Sequence, residues 1–136
     1  MVTQGKKPRI LLVKAFMEAH DRGLRYAARI LRDAGMEVIF VRFELPEEII
    51  KAAMQEDVDA IGITDSSGGY EYFAKVTLEG LKEKGLSDIP LIMGGVIPEV
   101  DHDALRKMGV AYVFGGGSSD EAIIQGVTEA VKKRKG

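Results

Sequence analysis

Short apolar runs recur along the chain and predict its β-strands. The runs are continuous rather than alternating, and most are rich in β-branched residues. Continuous runs of this length are typical of strands that are covered on both faces, as in a parallel sheet. The pattern therefore predicts five buried strands, which contain residues 10–13, 38–41, 60–63, 91–93 and 112–114.

Helical patterns lie between these runs. The first helix has one apolar stripe with helical spacing, formed by Leu24, Ala27, Ala28, Leu31 and Ala34. Three glycines end predicted helices shortly before the next strand, namely Gly35, Gly85 and Gly109. Pro46 favours a helix start, and residues 118–121 (SSDE) form a capping-box pattern that opens the last helix.

The strand and helix signals alternate five times between residues 9 and 133. Such alternation predicts an α/β fold with a doubly wound parallel sheet and helices on both faces. Five units are typical of the flavodoxin-like (Rossmann-like) strand order 2-1-3-4-5, in which ligands bind at the carboxyl ends of the strands. We expect an N-terminal extension at 1–8, one domain at 9–133 and a basic tail at 134–136.

Composition narrows the function classes. The chain has 136 residues, 46% of them hydrophobic, and no cysteine, which excludes disulfides, thiolate zinc sites and iron–sulfur clusters. A net charge of −2 gives no field that would favour nucleic acid, and no apolar run has the length of a membrane span. We therefore expect a cytoplasmic protein that binds neither nucleic acid nor membrane.

The loops after the strands exclude three common sites. The sequence has neither the dinucleotide-binding G-x-G-x-x-G pattern nor a P-loop. A phospho-acceptor receiver domain needs an acidic pair after the first strand and a lysine after the fifth. The first strand instead ends at Lys14 and the fifth at Gly115.

The loop after the first strand places a carboxylate, Glu18, two residues before an imidazole, His20. A carboxylate on the second ring nitrogen would fix the tautomer of a metal-ligating histidine. One imidazole is enough when the metal arrives inside a cofactor that supplies the other ligands. From spacing alone, a solvent-exposed His20 near a helix start remains an open alternative. The second histidine, His102, is expected at the surface.

Residues 18–23 (EAHDRG) resemble the D-x-H-x-x-G motif of cobalamin-binding domains. Segments 7–11, 46–49, 55–59, 94–98 and 113–115 match the same family in the same order. The chain is thereby identified as similar to the cobalamin (B12)-binding small subunit, or C-terminal domain, of the methylmalonyl-CoA mutase family. The resemblance extends from residue 7 to about 130.

The resemblance implies adenosylcobalamin as cofactor, with His20 as the axial cobalt ligand and Glu18 as its hydrogen-bonding carboxylate. It also implies a cofactor-binding set drawn from the loops after the strands. That set comprises Glu18, His20, Asp21, Arg22, Gly23, Thr64, Ser66, Gly68, Gly94, Gly95, Gly115, Gly116 and Ser118. The implied activity is a radical 1,2-rearrangement of an acyl-CoA, with the substrate held by a separate large TIM-barrel-like subunit.

Several residues depart from the family pattern inside the site. Glu18 replaces an aspartate, Ala19 replaces a glycine, and Asp65 and Ser66 replace an apolar pair of the S-x-L segment. They leave open a divergent homologue with weakened or lost cobalamin binding that serves an interaction role. A corrinoid carrier for methyl transfer is the other alternative, although such carriers generally have a helical cap before the first strand.

Overall fold

The computed structural model describes residues 7–15, 22–43, 45–65, 69–95, 97–115 and 118–135. Strands and helices alternate along the chain, as the apolar pattern predicts. The elements are β1 (Arg9–Ala15), α1 (Arg22–Asp33), β2 (Glu37–Phe43), α2 (Glu47–Glu56), β3 (Ala60–Asp65), α3 (Tyr70–Glu83), β4 (Leu91–Gly95), a 3₁₀ turn (Glu99–Asp101), α4 (His102–Met108), β5 (Tyr112–Val113) and α5 (Asp120–Lys135). Helix α5 thus continues beyond residue 133, the boundary expected for the domain.

The five strands form one parallel sheet in the order β2-β1-β3-β4-β5, which confirms the predicted flavodoxin-like topology. The helix ends also agree with the sequence: Gly35, Gly85 and Gly109 all have positive φ, at 95°, 71° and 121°. A side chain would be strained in that conformation, so glycine ends these helices at low cost.

Two apolar clusters cover the two faces of the sheet. Leu11 and Val13 of β1 belong to a cluster that includes buried residues of α2, α3 and α4. Ile10 and Leu12 belong to the other cluster, with buried residues of α1 and α5. Because successive side chains of a strand point to opposite faces, β1 contributes to both cores. We call the face of the sheet covered by the first cluster the α2–α4 face, and the face covered by the second cluster the α1/α5 face.

A hydrogen-bonded group of charged residues closes the amino end of the sheet. Asp59 is only 5% exposed, and its carboxylate accepts hydrogen bonds from the Arg9 backbone N–H at 2.8 Å and from Arg134 Nη1 at 3.3 Å. Arg134 also donates to the Val58 carbonyl and to Asp88, both at 3.1 Å. The last turn of α5 is thereby held against the start of β3.

Among the described residues, no helix combines the length and the apolar character needed to cross a membrane.

Candidate functional site

A cleft of about 420 Å³ lies on the α1/α5 face, with the sheet as its floor and α1 and α5 as its walls. Its walls are mainly apolar, including Ala27 and Leu31 of α1 and Ile123 and Val127 of α5. The volume lies within the range of about 300–1,000 Å³ that is usual for small-molecule sites. Two other clefts have similar volumes, and the mainly apolar walls of this one make it the best suited to a ligand with apolar surface.

Small residues on neighbouring strands leave this part of the sheet uncovered. Thr64 of β3 pairs with Gly94 of β4 near the carboxyl ends of both strands, and both line the cleft. Two residues earlier on β3, Gly62 lies so close to Leu12 that a Cβ would be 2.7 Å from Leu12 Cδ2. Leu12 thus covers Gly62, and only near the carboxyl ends of β3 and β4 does the floor present the Thr64 hydroxyl and the backbone of Gly94.

Phe114 forms an aromatic wall of the cleft directly after β5. Its ring stacks on Tyr112, with centroids 4.8 Å apart and an interplanar angle of 22°. Helix α5 approaches both rings through Gly126, where a Cβ would be 2.7 Å from Phe114 Cζ and 2.9 Å from Tyr112. Because Gly126 has no side chain, the rings of Phe114 and Tyr112 can pack directly against α5.

Gly115 and Ser118 complete the cleft at the start of α5. The Ser118 hydroxyl donates to the Gly115 carbonyl at 3.0 Å, so the two ends of this loop are tied together. Ser119 caps the helix, because its Oγ accepts a hydrogen bond from the Ala122 N–H at 3.1 Å. The capping-box pattern placed the helix start correctly, but the capping side chain is Ser119, and Ser118 turns back towards the cleft.

The structure brings four predicted site residues together in one cleft: Thr64, Gly94, Gly115 and Ser118. Gly95 ends β4, and Arg22 and Gly23 begin α1, although the Arg22 side chain is not among those described. The remaining six predicted residues lie outside the described residues, namely Glu18, His20, Asp21, Ser66, Gly68 and Gly116. Their roles stay predictions, including the axial ligation by His20.

Lys14 is a site candidate that the sequence reasoning missed. It is only 1% exposed, although it lies near the carboxyl end of β1. Lysine is almost never fully buried unless its ammonium group is paired, so this position is unusual. The sequence signal for this site candidate is a charged residue between the apolar run 10–13 and the histidine-containing loop.

The structure also corrects the expectation that His102 lies at the surface. It is half-buried, and its Nε2 lies 3.1 Å from the Ile97 carbonyl oxygen. Because a carbonyl only accepts, Nε2 must carry the proton. The ring also borders Gly115, where a Cβ would be 3.6 Å from His102 Cε1. His102 therefore joins the segments that follow β4 and β5.

Tyr26 links the two helices that wall the cleft. It lines the cleft from α1, and its hydroxyl donates to Asp120 Oδ1 at the first residue of α5. This hydrogen bond to the Asp120 carboxylate raises the pKa of the Tyr26 phenol, because it stabilises the protonated form. The residues are 94 positions apart, and their pairing has no signature in the sequence.

Comparisons of sequence identify relatives along the whole chain. The B12 binding domain family matches residues 8–124. The chain is 41% identical over 128 residues to the 2-hydroxyisobutanoyl-CoA mutase small subunit of Aquincola tertiaricarbonis, with 93% of each chain covered. It is 38% identical over 137 residues to the pivalyl-CoA mutase small subunit of Xanthobacter autotrophicus, with 99% of this chain and 92% of that one covered.

A longer relative matches the chain in sequence, and solved structures match its fold. The chain is 35% identical to methylmalonyl-CoA mutase of Cereibacter sphaeroides but spans only 19% of that protein's length. A cobalamin-binding protein from Desulfitobacterium hafniense has a TM-score of 0.77 at 16% identity, covering 92% of this chain and 60% of that one. A receiver domain from Vibrio parahaemolyticus reaches 0.71, also at 16% identity, covering 96% and 94%. Likeness at this identity shows the fold alone. The chain belongs to the B12-binding domain family and, within it, to the small subunits of the acyl-CoA mutases.

Proposed function

We propose that this chain binds adenosylcobalamin and presents it to a larger subunit that holds an acyl-CoA. The observation that carries the proposal is the cleft on the α1/α5 face, which collects Thr64, Gly94, Gly115 and Ser118 at the carboxyl ends of the strands. Ligands of doubly wound parallel sheets bind at this end. The family match supports cobalamin as the ligand class, and the adenosyl form is part of the proposal.

The residues of the cleft fit the chemistry of the nucleotide tail of cobalamin. Phe114, Ile123 and Val127 offer apolar surface to an aromatic base, and burying such surface stabilises binding. Thr64 and Ser118 offer hydroxyls to the sugar and phosphate. Gly94 has no side chain, so a long tail can approach the backbone closely. We infer that the tail occupies this cleft.

The rest of the proposed site follows the sequence resemblance. His20 would ligate cobalt, and Glu18 would orient its imidazole. Asp21, Arg22 and Gly23 would complete the first loop, and four further residues would extend the tail contacts: Ser66, Gly68, Gly95 and Gly116. When bound, the cofactor supplies an adenosyl radical by homolysis of its cobalt–carbon bond. The protein's part is to bind and orient the cofactor.

The partner in this proposal is a large TIM-barrel-like subunit that encloses the acyl-CoA in the cytoplasm. Relatives named as small subunits support a larger partner, and a relative five times longer supports a fused arrangement in other proteins. We propose an acyl-CoA mutase (isomerase) in which this chain alone shows no turnover. The mutase relatives do not favour the alternative of a methyl-transfer carrier.

Spectral titration tests the proposal. We expect the visible spectrum of adenosylcobalamin to change when the chain is added, because the His20 imidazole would replace the cofactor's own base as a ligand. His20→Ala should abolish the His-ligated spectrum and weaken binding by about tenfold or more, an effect of the size that ligand perturbation produces.

His102→Ala is the matched control, because it removes the other histidine of the chain. It should keep the ligated spectrum. The proposal is wrong if the wild-type chain leaves the spectrum unchanged, and the assignment of the ligand is wrong if His20→Ala gives the wild-type spectrum. The first result would instead support the divergent homologue without cobalamin.

A further inference from the structure

The Tyr26 side chain occupies an unusual position for a polar aromatic residue. It lines an apolar cleft and is still 47% exposed, so it stands at the cleft mouth with one side towards solvent. Its hydroxyl donates to Asp120 Oδ1. Because Tyr26 belongs to α1 and Asp120 begins α5, this hydrogen bond joins the two walls of the cleft at its mouth.

The charges around Tyr26 maintain this contact at neutral pH. The Asp120 carboxylate, and more weakly that of Glu121, raises the pKa of the Tyr26 hydroxyl, while Arg29 lowers it. The phenol is protonated at neutral pH even at its usual pKa of about 10, so it can donate to the carboxylate. Hydrogen bonds to charged acceptors are stronger than neutral ones, but water competes at an exposed site. The contact can accordingly form and break without disturbing the core.

We propose that the Tyr26–Asp120 hydrogen bond is a latch across the mouth of the α1/α5 cleft, which opens to admit or release the cofactor's nucleotide tail. The inference rests on the proposed function, since it concerns the tail. A ligand that passes between α1 and α5 must separate groups that join them. The latch therefore controls the rates of binding and release more than the affinity.

Binding kinetics of adenosylcobalamin and adenosylcobinamide, which has no nucleotide tail, test this inference on the full chain. Tyr26→Phe keeps the ring and removes the donor. We expect it to raise the association and dissociation rates of adenosylcobalamin about fivefold, the change that one net hydrogen bond of ordinary strength would give. The rates for adenosylcobinamide should change less than twofold, and so should the affinity for adenosylcobalamin.

Three further variants separate the latch from a structural role. Asp120→Ala removes the acceptor and should reproduce Tyr26→Phe, whereas Asp120→Asn keeps an amide oxygen as acceptor and should stay near wild type. Tyr72→Phe removes a hydroxyl from an exposed tyrosine of α3 and should leave all rates unchanged. A merely structural bond would lower the thermal midpoint and leave the rates alone.

Two results would overturn the latch while the proposed function stands. One is tight adenosylcobalamin binding with rates within twofold of wild type in both Tyr26→Phe and Asp120→Ala. The other is equal acceleration for adenosylcobinamide, which would remove the tail from the inference. Failure of the wild-type chain to bind either corrinoid would overturn the latch and the proposed function together.

Discussion

The two ends of the parallel sheet differ in how their polar groups are satisfied. At the amino end, the Asp59 carboxylate accepts hydrogen bonds from the Arg9 backbone and from Arg134, so this buried carboxylate is paired within the chain. At the carboxyl end, Thr64 and Ser118 face a cleft of about 420 Å³. The comparison indicates that one end stabilises the fold and the other is available to a ligand.

Parallel topology explains why the two roles are separated. All strands end at the same edge, so the loops that follow them meet there, while the helices return to the opposite edge. Arg134 lies in the last turn of α5, where a cation also interacts favourably with the helix dipole. Changes at the amino end should therefore alter stability alone, and changes at the carboxyl end should alter binding.

Removal of the Asp59 carboxylate should give the largest effect. We expect Asp59→Ala to lower the free energy of unfolding by about 3 kcal/mol, because it removes the side-chain acceptor of the Arg9 backbone N–H and the buried carboxylate that pairs with the half-buried Arg134. Chemical denaturation measures the loss. At a temperature where the variant stays folded, its affinity for adenosylcobalamin should equal that of wild type.

Asp88→Ala is the matched control, since Asp88 pairs with the same Arg134 but is 58% exposed. It should change the free energy of unfolding by less than about 1 kcal/mol, as is usual for surface ion pairs. Equal losses in both variants, or a weakened affinity in Asp59→Ala, would contradict the division of roles between the two ends.

A methyl group at Gly126 should affect both stability and binding. The new Cβ would be 2.7 Å from Phe114 Cζ, so the aromatic wall must shift towards the cleft. Overpacking costs about 1–3 kcal/mol, and the better helix propensity of alanine offsets about 1 kcal/mol. We expect Gly126→Ala to lose about 1 kcal/mol of stability and to bind adenosylcobalamin about threefold more weakly.

Gly80→Ala provides the comparison on the α2–α4 face. Its Cβ would be 2.8 Å from Ile50 Cγ1, a contact as close as the one at Gly126, but Gly80 does not line the cleft. The variant should lose a similar amount of stability in thermal denaturation and keep full affinity in the spectral titration. Weaker binding by Gly80→Ala would show that any loss of packing affects the cleft, wherever it occurs.

The sequence predicted the fold because the fold depends on local patterns. The apolar run at Ile10–Val13 supplied a buried strand, and Gly35 marked a helix end that indeed has positive φ. Strand order then followed from the alternation of elements. Thr64, Gly94, Gly115 and Ser118 were assigned to one site because all follow or end strands whose carboxyl ends share an edge, and because they match a family pattern.

The rest of the site depends on contacts that the sequence does not record. Tyr26 meets Asp120 only after α1 and α5 pack side by side. Lys14 is polar, so its type favours the surface, and only the position of β1 within the sheet buries it. His102 is flanked by two aspartates, which favour solvent, yet the Ile97 carbonyl and Gly115 hold its ring inward.

The smallest expected effect is a pH dependence confined to the carboxyl end. The Asp120 carboxylate raises the pKa of the Tyr26 phenol above its usual value of about 10. A group whose pKa is raised in the folded state stabilises that state below the unfolded pKa and loses this contribution as pH rises through the folded pKa. In the difference between wild-type and Tyr26→Phe tyrosinate absorbance, the Tyr26 transition should therefore lie above pH 10.

In the same pH range, the dissociation rate of adenosylcobalamin should rise in wild type towards the rate of Tyr26→Phe. A Tyr26 transition at or below the usual pKa of about 10 would mean that the Asp120 carboxylate does not accept a hydrogen bond from the phenol. The proposed latch would then not exist.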